Sequence, residues 1–181
     1  MADWVKGKSY ESYPIKVQQG ILLHRSIDDF TDRHDIVLQS KAYFRNAYGK
    51  YAGVITDMIY DHLLAHHWAN YSSISLQTFS NRTFIDLLSH LGVMPTGVKM
   101  VIPKMIASNR LVSYSSLDGM RNALEIMSNH TSLPARGSTA IGIVENNYEA
   151  LHNEFDSFFS LAIEHLYRKY FDLWGENDYK R

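Results

Sequence analysis

The sequence predicts an all-α protein, a single-domain bundle of about seven helices. Three observations carry that prediction. Apolar residues recur at i, i+3 and i+4 in one segment after another, and no stretch alternates apolar with polar residues as a half-buried strand does. Serine, proline and glycine stand where those segments start and stop. With 181 residues, 45% of them hydrophobic and 20% charged, the chain can bury one core and is too apolar for disorder.

Taken in order, residues 3–5 read as a helix end with Gly7 as its C-cap, and Pro14 opens the next helix in its first turn. That helix runs to about residue 32 and places Val17, Gly20, Ile21, His24, Asp28, Thr31 and Asp32 within an arc of roughly 120°. The second spans about 35–47, with Ile36, Val37, Ser40, Phe44 and Ala47 inward and Gly49 at its end. The third, about 50–71, carries Asp57 and Asp61 one turn apart, beside a core-facing stripe of Ile55, Met58, His62 and Ala65. Ser75 caps a fourth that ends at His90. Residues 91–95 link it to a fifth, about 96–109, which Pro103 should kink or break. Ser116 caps a sixth to about residue 128, and 129–138, with Pro134 and Gly137, is a loop. The seventh continues to about residue 173, its stripe of Ile141, Val144, Tyr148, Leu151, Phe155, Phe158, Ala162 and Leu166 reading as core.

The polar pattern is concentrated between Gly20 and Trp68. There His24, Asp28, Asp29, Asp32, His34, Asp35, Asp57, Asp61, His62, His66 and His67 are interleaved with apolar residues rather than with turn formers. Charged groups on core-facing stripes must be paired or bound to a metal. Mixed imidazole and carboxylate donors suit manganese, iron, zinc or magnesium, depending on geometry. Arg25, Arg33 and Arg45 offer the other solution, a network of structural ion pairs. The net charge of -1 gives no footprint for nucleic acid or an anionic membrane. The absence of cysteine removes disulfides and thiolate ligands, which fits a cytoplasmic protein. No apolar run approaches the ~20 residues of a membrane span.

GILLHRSIDDFTD followed by GVITDMIYDHLLAHHW resembles the acyl carrier protein phosphodiesterase family, a divergent branch of the HD-domain phosphohydrolases. ADWVKGKSYESYP, IPKMIASNRLVSY and MRNALEIMSNHTS extend the resemblance over nearly the whole chain. It implies an HD-like helical fold and metal-dependent hydrolysis of the phosphodiester between 4'-phosphopantetheine and a serine of holo acyl carrier protein, with Mn2+ or Mg2+ as the ion. It further implies His24, Asp28, Asp61 and His62 as metal ligands, Asp57 as a ligand or a group beside one, and Asp3 as a base or further ligand. Arg25 is the implied phosphate-binding cation. Replacing Asp61 or His62 should then remove metal and activity while leaving the fold intact.

Two departures from the family pattern are visible. The family begins with about twenty residues resembling MNFLAHLYLS, so such a segment, carrying a further His, is expected ahead of Met1. The adjacent pair reads Asp61 then His62, the reverse of the usual HD order. Other functions open on the residues are a different HD-like phosphohydrolase acting on a small phosphoester or nucleotide, and a non-catalytic helical protein. An acidic carrier calls for a basic docking face, expected at Lys6 and Lys8, with Lys16 beside them or Lys99, Lys104 and Arg110 as the other candidates.

Overall fold

Pro14 stands at φ -54° and ψ 147°, extended backbone that hands over directly to the first long helix, α1 (Ile15–Arg33). In the computed structural model, which describes residues 4–175, eight more α-helices follow: α2 (Asp35–Tyr48), α3 (Ala52–His66), α4 (Leu76–Ser89), α5 (Thr96–Ala107), α6 (Arg110–Ser113), α7 (Leu117–His130), α8 (Gly137–Asn146) and α9 (Tyr148–Trp174). Short 3-10 turns fill several of the connections, and there is no strand among the described residues. The all-α prediction holds.

The caps follow their chemistry. Ser75 accepts from the Thr78 amide and Ser116 from the Gly119 amide, each taking up a donor that the first turn cannot satisfy internally. Gly49, at φ +54°, closes α2 with its amide on the Arg45 carbonyl, and Gly7 turns the N-terminal segment at φ +51°. Pro103 does not break its helix, since α5 runs through it from Thr96 to Ala107.

Among the described residues the helix count is nine rather than about seven, for two local reasons. Residues 110–113 form a one-turn helix of their own after Asn109 takes a left-handed conformation at φ +44°. The long last helix divides at Asn147, whose backbone leaves helical geometry while its side-chain amide donates to the Ile143 carbonyl at 2.8 Å. Ile141, Val144, Leu151, Phe155 and Phe158 are nonetheless all buried. The apolar period runs through the break, which is why the sequence reads as one helix.

α2 is the central element, packed against α3, α9, α1 and α8. Val37, Phe44, Ile55, Ile59, Leu63, Met120, Val144 and Leu151 form the heart of the core. At these areas each large side chain contributes about 1.5–3 kcal/mol of burial free energy. A smaller cluster of Val5 and Ile21, with Tyr10, Tyr13 and Val17 against it, fastens the N-terminal segment to α1. α4, α5 and α6 lean on one another beyond α3, with few residues wholly buried. Of the predicted acidic helices, α1 packs on α9 and α2, while α3 is itself part of the core.

Candidate functional site between α1 and α3

α1 carries only one fully buried residue, Ile21, so its polar groups stand at the surface rather than in the core. His24 and Asp28, one turn apart, are both half-exposed and meet at 2.8 Å between Nδ1 and Oδ2. Because a carboxylate only accepts, Nδ1 is the donor of this pair. His24 also lines a largely apolar groove of about 270 Å³ with Val17, Gly20, Ile21, His90, Val93 and Met94.

On α3, Asp57 and Asp61 occupy one face. Burial by the surrounding protein raises the Asp57 carboxyl; Lys41 opposes the shift, and Asp32 and Asp28 add to it. Asp61 reaches solvent at the edge of a small cavity of about 80 Å³ walled by Leu64, Trp68, Leu76, Phe79 and Tyr114. Those walls and the neighbouring Asp57 push its carboxyl up to about 6. Asp28, Asp57 and Asp61 thus form a run of carboxylates across two helices, each within electrostatic reach of the next. Lys41 supplies a counter-charge that sequence reasoning missed. It is largely buried, pairs with Asp32 at 2.9 Å, and lies over Gly53, where a Cβ would touch its Cε at 3.4 Å. A glycine inside an otherwise apolar helix was the one signal for it.

His62 faces the other way. It is 2% exposed and donates from Nδ1 to the Tyr114 carbonyl at 2.7 Å, and burial holds its pKa down, so the ring is neutral with Nε2 free to accept. Such an anchored imidazole has the tautomer that a metal-binding histidine needs. It lines a separate groove with His66, Ser115, Arg121 and Tyr148. The expectation that His62 can be removed without touching the core is therefore corrected.

In kind, these donors fit a hard divalent cation: carboxylates that repel one another, and imidazoles with one nitrogen fixed by a hydrogen bond. In placement they do not complete a site, since among the described residues no three His, Asp or Glu side chains converge on a position that could hold an ion. Asp3 lies outside the described residues. The structure joins His24 to Asp28 and couples Asp57 to Asp61, but does not bring His62 to either pair.

Arg25 has a definite occupation. Its guanidinium donates to the Val5 carbonyl at 2.6 Å and to the Gly7 carbonyl at 2.9 Å, and sits 5.2 Å above the Tyr10 ring. Rather than standing free for a phosphoryl group, it clamps the segment that follows Asp3. Trp4 provides a second hold that the sequence did not reveal. Its indole lies on Gly97 of α5 so closely that a Cβ there would be 2.2 Å from the ring. Lys6 and Lys8 are exposed on the same segment.

The family model described as acyl carrier protein phosphodiesterase matches residues 1–162. An acyl carrier protein phosphodiesterase of Serratia proteamaculans is 29% identical over 160 residues, covering 88% of this chain and 83% of the relative. Proteins of the same description from Yersinia pestis and Escherichia coli O6:H1 are 25% identical over 170 residues and 29% over 171, each covering 93% of this chain and 88% of the relative. No solved structure gives a significant match. The matched span takes in α1 to α8 and the first half of α9, with His24, Asp28, Asp57, Asp61 and His62 inside it; the chain belongs to the acyl carrier protein phosphodiesterase family.

Proposed function

We propose that the protein hydrolyses the phosphodiester joining 4'-phosphopantetheine to a serine of holo acyl carrier protein, giving apo carrier and free phosphopantetheine. The observation that supports this best is the extent of the family match, which covers both acidic helices and the N-terminal segment clamped by Arg25. In this reaction water attacks phosphorus, the serine oxygen leaves, and one proton must pass from the water to that oxygen. Catalysis is then largely positioning and charge stabilisation.

The residues divide that work. Asp57 and Asp61 are the carboxylates that would exchange a proton with water, and Asp28 holds the His24 ring in one orientation. Arg25, through Val5 and Gly7, is a positioning residue for the segment bearing Asp3. The groove beside His24 is long on apolar wall and short on charge, which suits the slender arm of phosphopantetheine. The implied ion is Mn2+ or Mg2+, with donors that would be drawn from His24, Asp28, Asp61 and Asp3, whereas His62 opens on a separate groove. When bound, it acidifies a water and offsets phosphoryl charge.

We place the reaction in the cytoplasm, where its substrate would be made and used; no helix among the described residues is long and apolar enough to cross a membrane. The test is turnover of holo carrier protein with Mn2+ beside a panel of small phosphoesters and nucleotides. Release of apo carrier, with the panel turned over slowly, is the expected result. Rapid turnover of a panel member with intact holo carrier would assign the site to another phosphohydrolase reaction, and inertness toward all would mark the helices as non-catalytic.

A further inference from the structure

We infer that the exposed face of α5 around Lys99, Met100 and Lys104 is where the carrier protein docks; this rests on the reading of its substrate as a carrier protein. Between Asp86 and Asp118 the chain has no Asp or Glu, although 19 acidic residues are distributed over the rest. Lys99 and Lys104, both exposed on α5, have no carboxylate partner among the described residues. Arg33, Lys41, Arg121, Arg168 and Lys169 are each paired with an acidic side chain, whereas Lys6, Lys8, Lys16 and Lys50 share with Lys99 and Lys104 the lack of such a partner among the described residues. An uncompensated cationic face attracts an acidic partner and repels a basic one.

The same face is apolar where a solvated helix would be polar. Met100 is 67% exposed, and Val101 and Pro103 are exposed beside it. Methionine ringed by cations is the composition of an adaptable protein contact, since its unbranched side chain can follow an uneven partner surface. A partner that fits is a protein surface with carboxylates around an apolar centre. Lys6 and Lys8 have Gly7 between them and the exposed Trp4 before them, and Asp3 and Glu11 flank them in sequence.

Position completes the argument. α5 starts at the candidate site: Met94, two residues before it, lines the groove with His24, and Gly97 in its first turn carries the Trp4 indole. A carrier held on Lys99, Met100 and Lys104 would sit on the helix that starts beside that groove. The Lys6 and Lys8 segment, fastened by Arg25, flanks the site instead of extending from it.

Binding of apo carrier protein, measured by fluorescence anisotropy, tests the inference with the full chain as wild type, K99E/K104E, K6E/K8E and Met100→Ser. Apo carrier has no bond to cleave, so docking is read separately from hydrolysis. Expected are a loss of affinity of about tenfold or more in K99E/K104E with a flatter salt dependence, and a smaller loss in Met100→Ser with the salt dependence retained. With holo carrier, K99E/K104E should raise KM and lower the preference for carrier over bis-p-nitrophenyl phosphate by a similar factor. Undiminished affinity in K99E/K104E, a loss confined to K6E/K8E, or no binding of apo carrier by the wild type overturns the docking face. Loss of binding to anionic vesicles in place of carrier does so too, and assigns the face to a membrane. Wild-type binding of apo carrier without hydrolysis of holo carrier overturns the reaction and leaves the docking face standing.

Discussion

Gly97→Ala separates stability from function in a way that tests how the N-terminal segment is held. A Cβ at this position would stand 2.2 Å from Cζ3 of Trp4 and 2.6 Å from Cη2. To reach an ordinary 3.4 Å contact the indole must retreat by about 1.2 Å. Trp4 is 56% exposed, so the ring can swing outward at little expense in burial. Alanine in place of glycine inside a helix meanwhile gains about 0.5–1 kcal/mol. The melting temperature is therefore expected to stay level or to rise slightly. Activity should move the other way, because the indole adjoins Asp3 in the chain and a displacement of ~1 Å near a reacting group can reduce turnover about a hundredfold. Hydrolysis of holo carrier by Gly97→Ala, with thermal denaturation alongside, measures both. Trp4→Ala in the same background supplies the control: once the ring is absent, Gly97→Ala should have no further effect on activity. Full turnover by Gly97→Ala, or additive losses in the double variant, would refute the idea that the Trp4 contact positions the catalytic segment.

Further expectations follow from other contacts. Arg25→Met removes two charge-assisted hydrogen bonds to the Val5 and Gly7 carbonyls, and should cost about 1–3 kcal/mol and expose residues before Tyr10 to protease. A rise in KM with no change in protease sensitivity would return Arg25 to phosphate binding. Asp61 binds its proton more tightly in the folded chain, where its carboxyl is raised to about 6, than in the unfolded chain at 3.8. Asp61 should accordingly contribute a loss of stability as pH rises through that interval, and Asp61→Asn, melted in EDTA, should show a shallower fall than wild type, with the raised Asp57 carboxyl still contributing. Equal pH profiles for the two proteins would contradict the assigned environment. Ser40→Ala takes a buried donor from Glu154, 2.5 Å away, and breaks its link to the Tyr60 hydroxyl at 2.7 Å; denaturant melts should show a loss of about 1–3 kcal/mol. Asp61→Ala should weaken Mn2+ binding in calorimetry with helical circular dichroism retained, and unchanged Mn2+ affinity would remove Asp61 from the ligand set.

The parts of the fold that were legible in the sequence are those fixed by local chemistry. Ser75 and Ser116 cap through their own hydroxyls, Gly49 supplies a positive φ, and the Ile55, Met58, His62 and Ala65 stripe is buried as its period requires. The break at Asn147 was not legible because the apolar register continues across it. Within the site, the His24 and Asp28 pair follows from i,i+4 spacing. The divergence of His62 from Asp61 follows from the same geometry, since adjacent residues on a helix point about 100° apart. What they diverge toward, the Tyr114 carbonyl for His62 and a cavity of Trp68, Phe79 and Tyr114 for Asp61, depends on long-range packing. The Arg25 clamp and the Trp4 seat on Gly97 are contacts between segments that no spacing rule encodes.

The central claim is hydrolysis at phosphorus on a protein-bound arm, and one experiment addresses it directly. Holo acyl carrier protein incubated with this protein and Mn2+ in ¹⁸O-labelled water, followed by intact-mass spectrometry, reports both the product and the bond broken. The account predicts a carrier at the mass of its apo form without label, and a phosphopantetheine carrying one labelled oxygen. Holo carrier of unchanged mass, or label recovered in the carrier serine, would contradict it.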